Sequence, residues 1–318
     1  MIAASRRRLA DPMASLRSVL RRLLRRPPKR HLNSSLRPWS IGIYTGPSPY
    51  LLQPAPGVVN PVLTRHDVSD VPAVLVADPF MLNAGKTWHM FFEVMNARTA
   101  KGEIGLAVSD DTERWRYQGI VLAERFHLSY PYVFEWMGEH YMIPESYEAG
   151  AVRLYRARRF PDRWTHVETL LTGACLVDTS VAHVDGRWWM LVQDSPMPRH
   201  DRLRLYHAAA LSGPWREHPA SPIVDGDPRA ARPAGRMLVY GDRMLRFAQD
   251  CDGGYGLAVR AFEVETLTAE TYTDRQVGPE PMLRGSGTGW NGGGMHHVDA
   301  HLVAPGRWVA AVDGWPCA

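Results

Sequence analysis

Acidic side chains stand at matching places in hairpin after hairpin of this chain. The stretch 76–94, VADPFMLNAGKTWHMFFEV, reads as two short strands around a polar turn. Asp78 opens it and Glu93 closes it. Antiparallel strands bring those two ends together at one rim. The plan recurs: Tyr130 opens and Glu145 closes; Asp178 opens and Asp194 closes; Arg232 opens and Gln249-Asp250 closes; Asp299 opens and Asp313 closes. His296 and His297 precede the last hairpin. Carboxylates crowded at one opening repel, so at least one stays protonated near neutral pH, as a general acid requires. Two carboxyls facing across a gap are the equipment for breaking a glycosidic bond, one as acid and the other as base or nucleophile. Arg232 and the two histidines add polar and anion-binding character. Trp290, Tyr130 and Tyr147 offer either a sugar-stacking face or plain packing.

Positioning these residues calls for a repeated β architecture. The turn glycines 85, 138, 186, 241 and 306 recur roughly every fifty residues. That period, carried by strands, predicts an all-β, five-bladed β-propeller whose innermost strands line a central funnel. Residues 35–318 form that domain, and 1–34 a basic leader that is either a short helix or disordered. The last repeat lacks outer strands. Segment 39–45 is expected to supply the third strand of that blade and 60–64 the fourth, closing the ring and removing exposed edges. Trp115, Trp164 and Trp215 open fourth strands and read as inter-blade packing. The glycine-rich stretch 285–294 reads as a flexible rim loop without a phosphate-binding pattern.

Composition excludes several classes. Three cysteines without CxxC spacing argue against a disulfide framework and a zinc site, so neither cofactor nor metal is expected. No apolar run reaches membrane-spanning length, and the first thirty residues lack the apolar core of a secretory signal, so a cytoplasmic location is expected. Residues 1–30 carry ten Lys/Arg against one acid, while the remainder has 27 basic against 32 acidic residues. The basic character thus belongs to the leader, and no nucleic-acid partner is expected of the domain. Within residues 12–30, leucines at helical spacing among arginines suit weak contact with an anionic membrane surface. A disordered leader, a misassigned start and a transit peptide are the alternatives.

The ADPF opening (77–80), GEIGLAVSDD (102–111), HLSYPYVFEW (127–136), YMIPES (141–146) and RPAGR (232–236) together resemble the N-terminal domain of plant glucosamine inositolphosphorylceramide transferases and their bacterial relatives. The resemblance spans about residues 36–315. It implies kinship by fold with five-bladed hydrolases of glycoside hydrolase family 43. There, an Asp opening the first blade is the base, an Asp opening the third tunes pKa, and a Glu opening the fourth is the acid. Asp78 and Asp178 match the first two. The third fails, because Ala231-Arg232-Pro233 stands where the acid is expected. Glu145 is the remaining candidate acid, expected at the inverting separation from Asp78, with Asp178 close to one of them and raising its pKa. The resemblance also implies that transfer chemistry resides in a separate C-terminal domain, which is not expected here. The reading is a carbohydrate-active enzyme working on a glycosidic bond. Its catalytic residues are Asp78, Glu145 and Asp178, and its substrate contacts are Glu93, Tyr130, Asp194, Arg232, Trp290, His296, His297 and Asp299. The alternatives are a non-catalytic glycan-binding module, or glycosyl transfer or phosphorolysis with an anion on Arg232. The partner in each case is a carbohydrate or glycoconjugate.

Overall fold

The computed structural model describes residues 37–196 and 199–317. The basic leader, including the amphipathic stretch 12–30, lies outside the described residues. Described residues belong to one compact unit, Leu36–Ala318.

The chain enters through β1 (Ser40–Ser48) and β2 (Leu51–Pro54), then builds a sheet from β3 (Ala73–Ala84), β4 (Thr87–Asn96), β5 (Lys101–Ser109) and β6 (Arg116–Leu122). The second sheet is β7 (Ser129–Trp136), β8 (Glu139–Glu145), β9 (Ala151–Arg159) and β10 (Arg163–Thr172). The third runs β11 (Val177–Val184), β12 (Arg187–Gln193), β13 (Arg202–Ala208), with β14 (Arg216–Glu217) and β15 (Val224–Asp225) sharing its outer edge. The fourth is β16 (Leu238–Tyr240), β17 (Arg243–Asp250), β18 (Ala258–Leu267), with β19 (Tyr272–Gln276) and β20 (Leu283–Arg284) outside. The last holds β21 (Val298–Ala304) and β22 (Arg307–Gly314) beside β1 and β2. These are the five blades of a propeller, and the first and last strands of the described residues share one blade.

Ring closure follows the expectation in its main part. β1 pairs with β22 from Ser40↔Gly314 to Gly46↔Trp308. The outer position differs from the sequence reading. Leu51–Pro54 pairs with the far half of β1, while Leu63 makes an isolated bridge to Ile41. Asn60 explains the split: its side chain bonds both the N–H and the carbonyl of Ile43, standing in for a ladder rung. Of Trp115, Trp164 and Trp215, Trp164 meets a neighbouring blade ring to ring, edge-on to Phe91 at 5.5 Å. Each of the three indole N–H groups closes the turn before it, on the carbonyls of Thr112, Pro161 and Leu211.

Blade four departs most. Its inner strand is broken, with Pro233 meeting Ala248 before the chain leaves to pair Gly235 in parallel with Val298 of blade five. Glycine is required there, because φ is +142° and a Cβ would lie 1.8 Å from the Val298 carbonyl oxygen. The stretch 285–294 is not a loose rim. Added Cβ atoms at Gly293 and Gly294 would strike the Trp315 ring at 2.1 and 2.7 Å. No helix among the described residues is long and apolar enough to cross a membrane.

Candidate functional site

Strand pleat decides which side chains reach the funnel. Ala77 pairs with Glu93, Ser129 with Glu145 and Val177 with Gln193. The residues following Ala77, Ser129 and Val177 are Asp78, Tyr130 and Asp178, all with left-handed backbone at φ 52°, 44° and 51°. Each sits in a register shift where the inner strand carries an extra residue. Such bulges turn a side chain away from the regular alternation and toward the axis. Arg232 is the counterpart in blade four, its carbonyl accepting from the Gln249 N–H. The rung at the strand ends is therefore Glu93, Glu145, Gln193, Gln249 and Asp313.

Two linked clusters occupy the floor. In one, Arg232 Nε donates to Asp178 Oδ2 at 2.5 Å and Nη2 lies 3.7 Å from Glu145 Oε2. Gln249 Nε2 donates to the same Asp178 oxygen at 3.0 Å. Glu145 and Asp178 each act on the other's ionisation. Arg232 Nη1 also reaches His200 Nδ1 at 3.1 Å, and the Tyr255 ring covers the guanidinium with its centroid 4.9 Å away. In the other cluster, His296 Nδ1 bonds Asp313 Oδ1 at 2.8 Å, and its Nε2 is 3.7 Å from Asp78 Oδ1. The Asp78 N–H donates to Asp313 Oδ2 at 3.0 Å. Trp39 stacks on His296 at 4.0 Å between centroids. His297 Nδ1 is 3.8 Å from Asp78 Oδ1, yet neither of its ring nitrogens has a hydrogen-bond partner among the described residues.

Burial and neighbouring charge push these groups apart. Glu145 is raised well above the usual carboxylate range by burial and then by the Asp178 charge, so it holds its proton at neutral pH. Asp178 goes the other way. Burial works against its ionisation, but Arg232 and the proton of Glu145 overcome it and hold the pKa low. Asp78 is raised to about 7, by burial first, although His296 pulls it down. Glu93 is raised well above its ordinary value by burial and the nearby carboxylates. Burial opposes protonation of His296, but Asp313 outweighs it and raises the pKa, making this ring the cation beside Asp78. His297 is lowered to about 4 by burial and stays neutral. The charges of Asp78 and Asp178 both raise Glu93 and Glu145.

The structure gathers Asp78, Glu93, Glu145, Asp178, Arg232, His296 and His297. It places four sequence candidates differently. Asp194 follows the funnel rung by one residue, and the pleat turns it to Arg204 and Arg202 of its own blade. Asp299 stands opposite Ala311, two residues along β22 from Asp313, because blade five lacks the extra bulged residue. It bonds Arg236 and His301 there. Tyr130 is fully buried with its hydroxyl on Ser180 and Gly235, so its ring plugs the axis and offers no stacking face. Trp290 packs over Gly42 and Gly314. Tyr147, by contrast, is exposed. His200 and Tyr255 are not candidates on sequence grounds, and Gln249 enters there only as part of the Gln249-Asp250 strand end. The first two lie in connections that carry no periodic signal; Gln249 was one residue from Asp250, and only the register separates them. The sequence spacing gave no metal motif, but single donor atoms of Asp78, His296 and Asp313 lie within 4.8 Å of one another, close enough to hold a metal ion.

This funnel can be set beside known proteins. A family model described as "Glucosamine inositolphosphorylceramide transferase 1, N-terminal" matches residues 33–315. The chain belongs to that family. Glucosamine inositolphosphorylceramide transferase 1 of Oryza sativa subsp. japonica is 38% identical over 87% of this chain, and that of Arabidopsis thaliana is 35% identical over 87%. The family domain seen here spans only 40% and 39% of those two proteins. Among solved structures, the catalytic domain of the GH62 alpha-L-arabinofuranosidase of Coprinopsis cinerea superposes with a TM-score of 0.56 at 12% identity, covering 88% of this chain and 97% of that one. The alpha-L-arabinanase of Cellvibrio cellulosa, complexed with arabinohexaose, gives 0.52 at 18% identity over 72% of this chain and 84% of that one. Identities this low establish a shared fold, the glycoside-hydrolase type of propeller. The family domain thus shares the fold of the glycoside-hydrolase propellers, and its funnel has Arg232 where the sequence resemblance leads one to expect an acid.

Proposed function

We propose that the funnel binds a saccharide of a glycoconjugate and acts on a glycosidic bond, with Glu145 as proton donor and Asp78 as base. The observation that carries this is the divergence of neighbouring carboxyls: Glu145 held protonated beside Asp178 held ionised. Environments that push paired titratable groups apart are what acid–base chemistry at one pH requires. Glu145 gives its proton to the leaving oxygen; Asp78 accepts one from the attacking water. Burial and the Asp178 charge keep Glu145 loaded, against the opposing pull of Arg232, whose part is to hold Asp178 ionised and in place. The relatives' name suggests a glucosamine-bearing inositolphosphorylceramide as the class of glycoconjugate. Its lipid part accords with a proposed cytoplasmic, membrane-peripheral location through residues 12–30.

A second reading is a glycan-binding module. Arg232 favours it, since this side chain fills the acid position and is engaged by Asp178, Glu145 and His200. That engagement also argues against Arg232 as the grip for a phosphate. The test is a screen of aryl glycosides and oligosaccharides, with and without phosphate, using wild type, Asp78→Asn and Glu145→Gln. Turnover lost in both variants supports the enzyme; saturable binding without turnover supports the module; turnover that needs phosphate supports phosphorolysis.

A further inference from the structure

The ring has a second polar cavity at its other mouth, and it takes no part in the funnel. Its volume is about 690 Å³, and it is lined by the turn ends of inner hairpins from blades one, two and five. Asn83 and Trp88 come from the first hairpin, Glu135 from the second, and His301 and Leu302 from the last, with Arg236 beneath. Phe80 and Tyr130 block the axis between the two mouths. Their rings are 4.8 Å apart, both are fully buried, and the Tyr130 hydroxyl is tied to Ser180 and Gly235. A ligand in this cavity therefore cannot be the far end of one seated on Asp78.

The floor is pre-organised. Asp299 is fully buried and accepts from Arg236 Nε at 2.9 Å, His301 Nε2 at 2.8 Å and the Met81 N–H at 2.6 Å. Arg236 Nη1 donates to the Val133 carbonyl at 3.0 Å. Asp299 cancels the charge of Arg236, and Glu135 adds a negative charge at the lip, so the cavity does not favour an anion. What remains is a set of uncharged or neutralised hydrogen-bonding groups around an indole that meets His301 edge-on at 5.4 Å. Leu302 is 54% exposed beside it. A cavity of a few hundred cubic ångströms with one aromatic wall and convergent polar groups suits a small polar ligand with an apolar face.

We infer that this cavity is a second saccharide-binding site, taking one or two units of a neutral sugar, with the ring face on Trp88 and hydroxyls on Asn83, Glu135 and His301. It is independent of the function proposed for the funnel. The test is calorimetric or saturation-transfer titration of the full-length protein with neutral hexoses, pentoses and their disaccharides. Wild type is compared with Asp78→Asn, which alters the funnel, and with Leu302→Arg and Asn83→Ala, which alter the cavity from exposed positions that leave the fold intact. At least one sugar is expected to bind saturably, with affinity at least tenfold weaker in Leu302→Arg and Asn83→Ala and unchanged within about twofold in Asp78→Asn. Absence of saturable binding by every sugar overturns the proposal. So does binding that Asp78→Asn abolishes and Leu302→Arg leaves intact.

Discussion

Arg232 is the residue on which the funnel's electrostatics turn. Removing one member of a buried ion pair leaves the other charge uncompensated, typically at a cost of about 3–5 kcal/mol. Arg232→Met is expected to lose that much in urea unfolding at pH 7. The pH dependence has a definite sign. Asp178 is lowered in the folded state from its ordinary 3.8, so its contribution is present above about pH 4 and lost as pH falls further. The gap between wild type and Arg232→Met should therefore close in acid; a gap that stays constant from pH 7 to below pH 4 contradicts the assignment. Asp78 has the opposite sign. Its folded pKa of about 7 lies above the ordinary 3.8, so the folded state binds the extra proton and stability falls as pH rises from about 4 to 7. Asp78→Asn removes this term. Its melting temperature relative to wild type should climb across that window and level off above it.

At the scale of the element, one glycine sets how closely the blade-four backbone approaches blade five. Gly235→Ala drives a Cβ into the Val298 carbonyl, 1.8 Å away, where no flexible atom can yield. Overpacking and backbone strain together should cost about 3 kcal/mol. Gly241→Ala is the control. Its φ is also positive, at +60°, but an added Cβ has nothing within 4 Å, so only the left-handed penalty of about 1 kcal/mol applies. Chemical denaturation of the two variants checks the difference, and equal losses would mean that the contact across blades is not what holds Gly235.

For the whole molecule, β1 closes the ring by pairing with β22. Ile41 and Ile43 are buried in the cluster that also holds Val309 and Ala311 of β22. Deleting residues 1–48 removes both this burial and the cover of the β22 edge, and is expected to abolish the cooperative melt. Deleting only residues 1–34 should leave the melt in place. The same short deletion tests the membrane proposal: at low salt, full-length protein should sediment with phosphatidylserine vesicles and the truncated form should not, and 0.5 M salt should release it. Equal sedimentation of both forms would refute the contact.

The hairpin repeat, its glycine turns and the missing outer strands were legible in the chain because they follow from local patterning: strand periodicity, turn residues and a period near fifty. Asp78, Glu145 and Asp178 were legible for the same reason, since each sits at the end of a patterned strand. The phase of the pleat was not. Whether Gln249 or Asp250 and Gln193 or Asp194 face the axis is a one-residue question, settled by register against a neighbouring strand. A bulge present in blades one to three and absent from blade five sends Asp299 deeper, to Arg236 and His301. His200, Tyr255 and Trp39 arrive at the funnel from distant connections, by contacts no spacing encodes. The charge states, too, belong to the tertiary structure, because burial and the approach of Arg232 and His296 across blades decide which carboxyl keeps its proton.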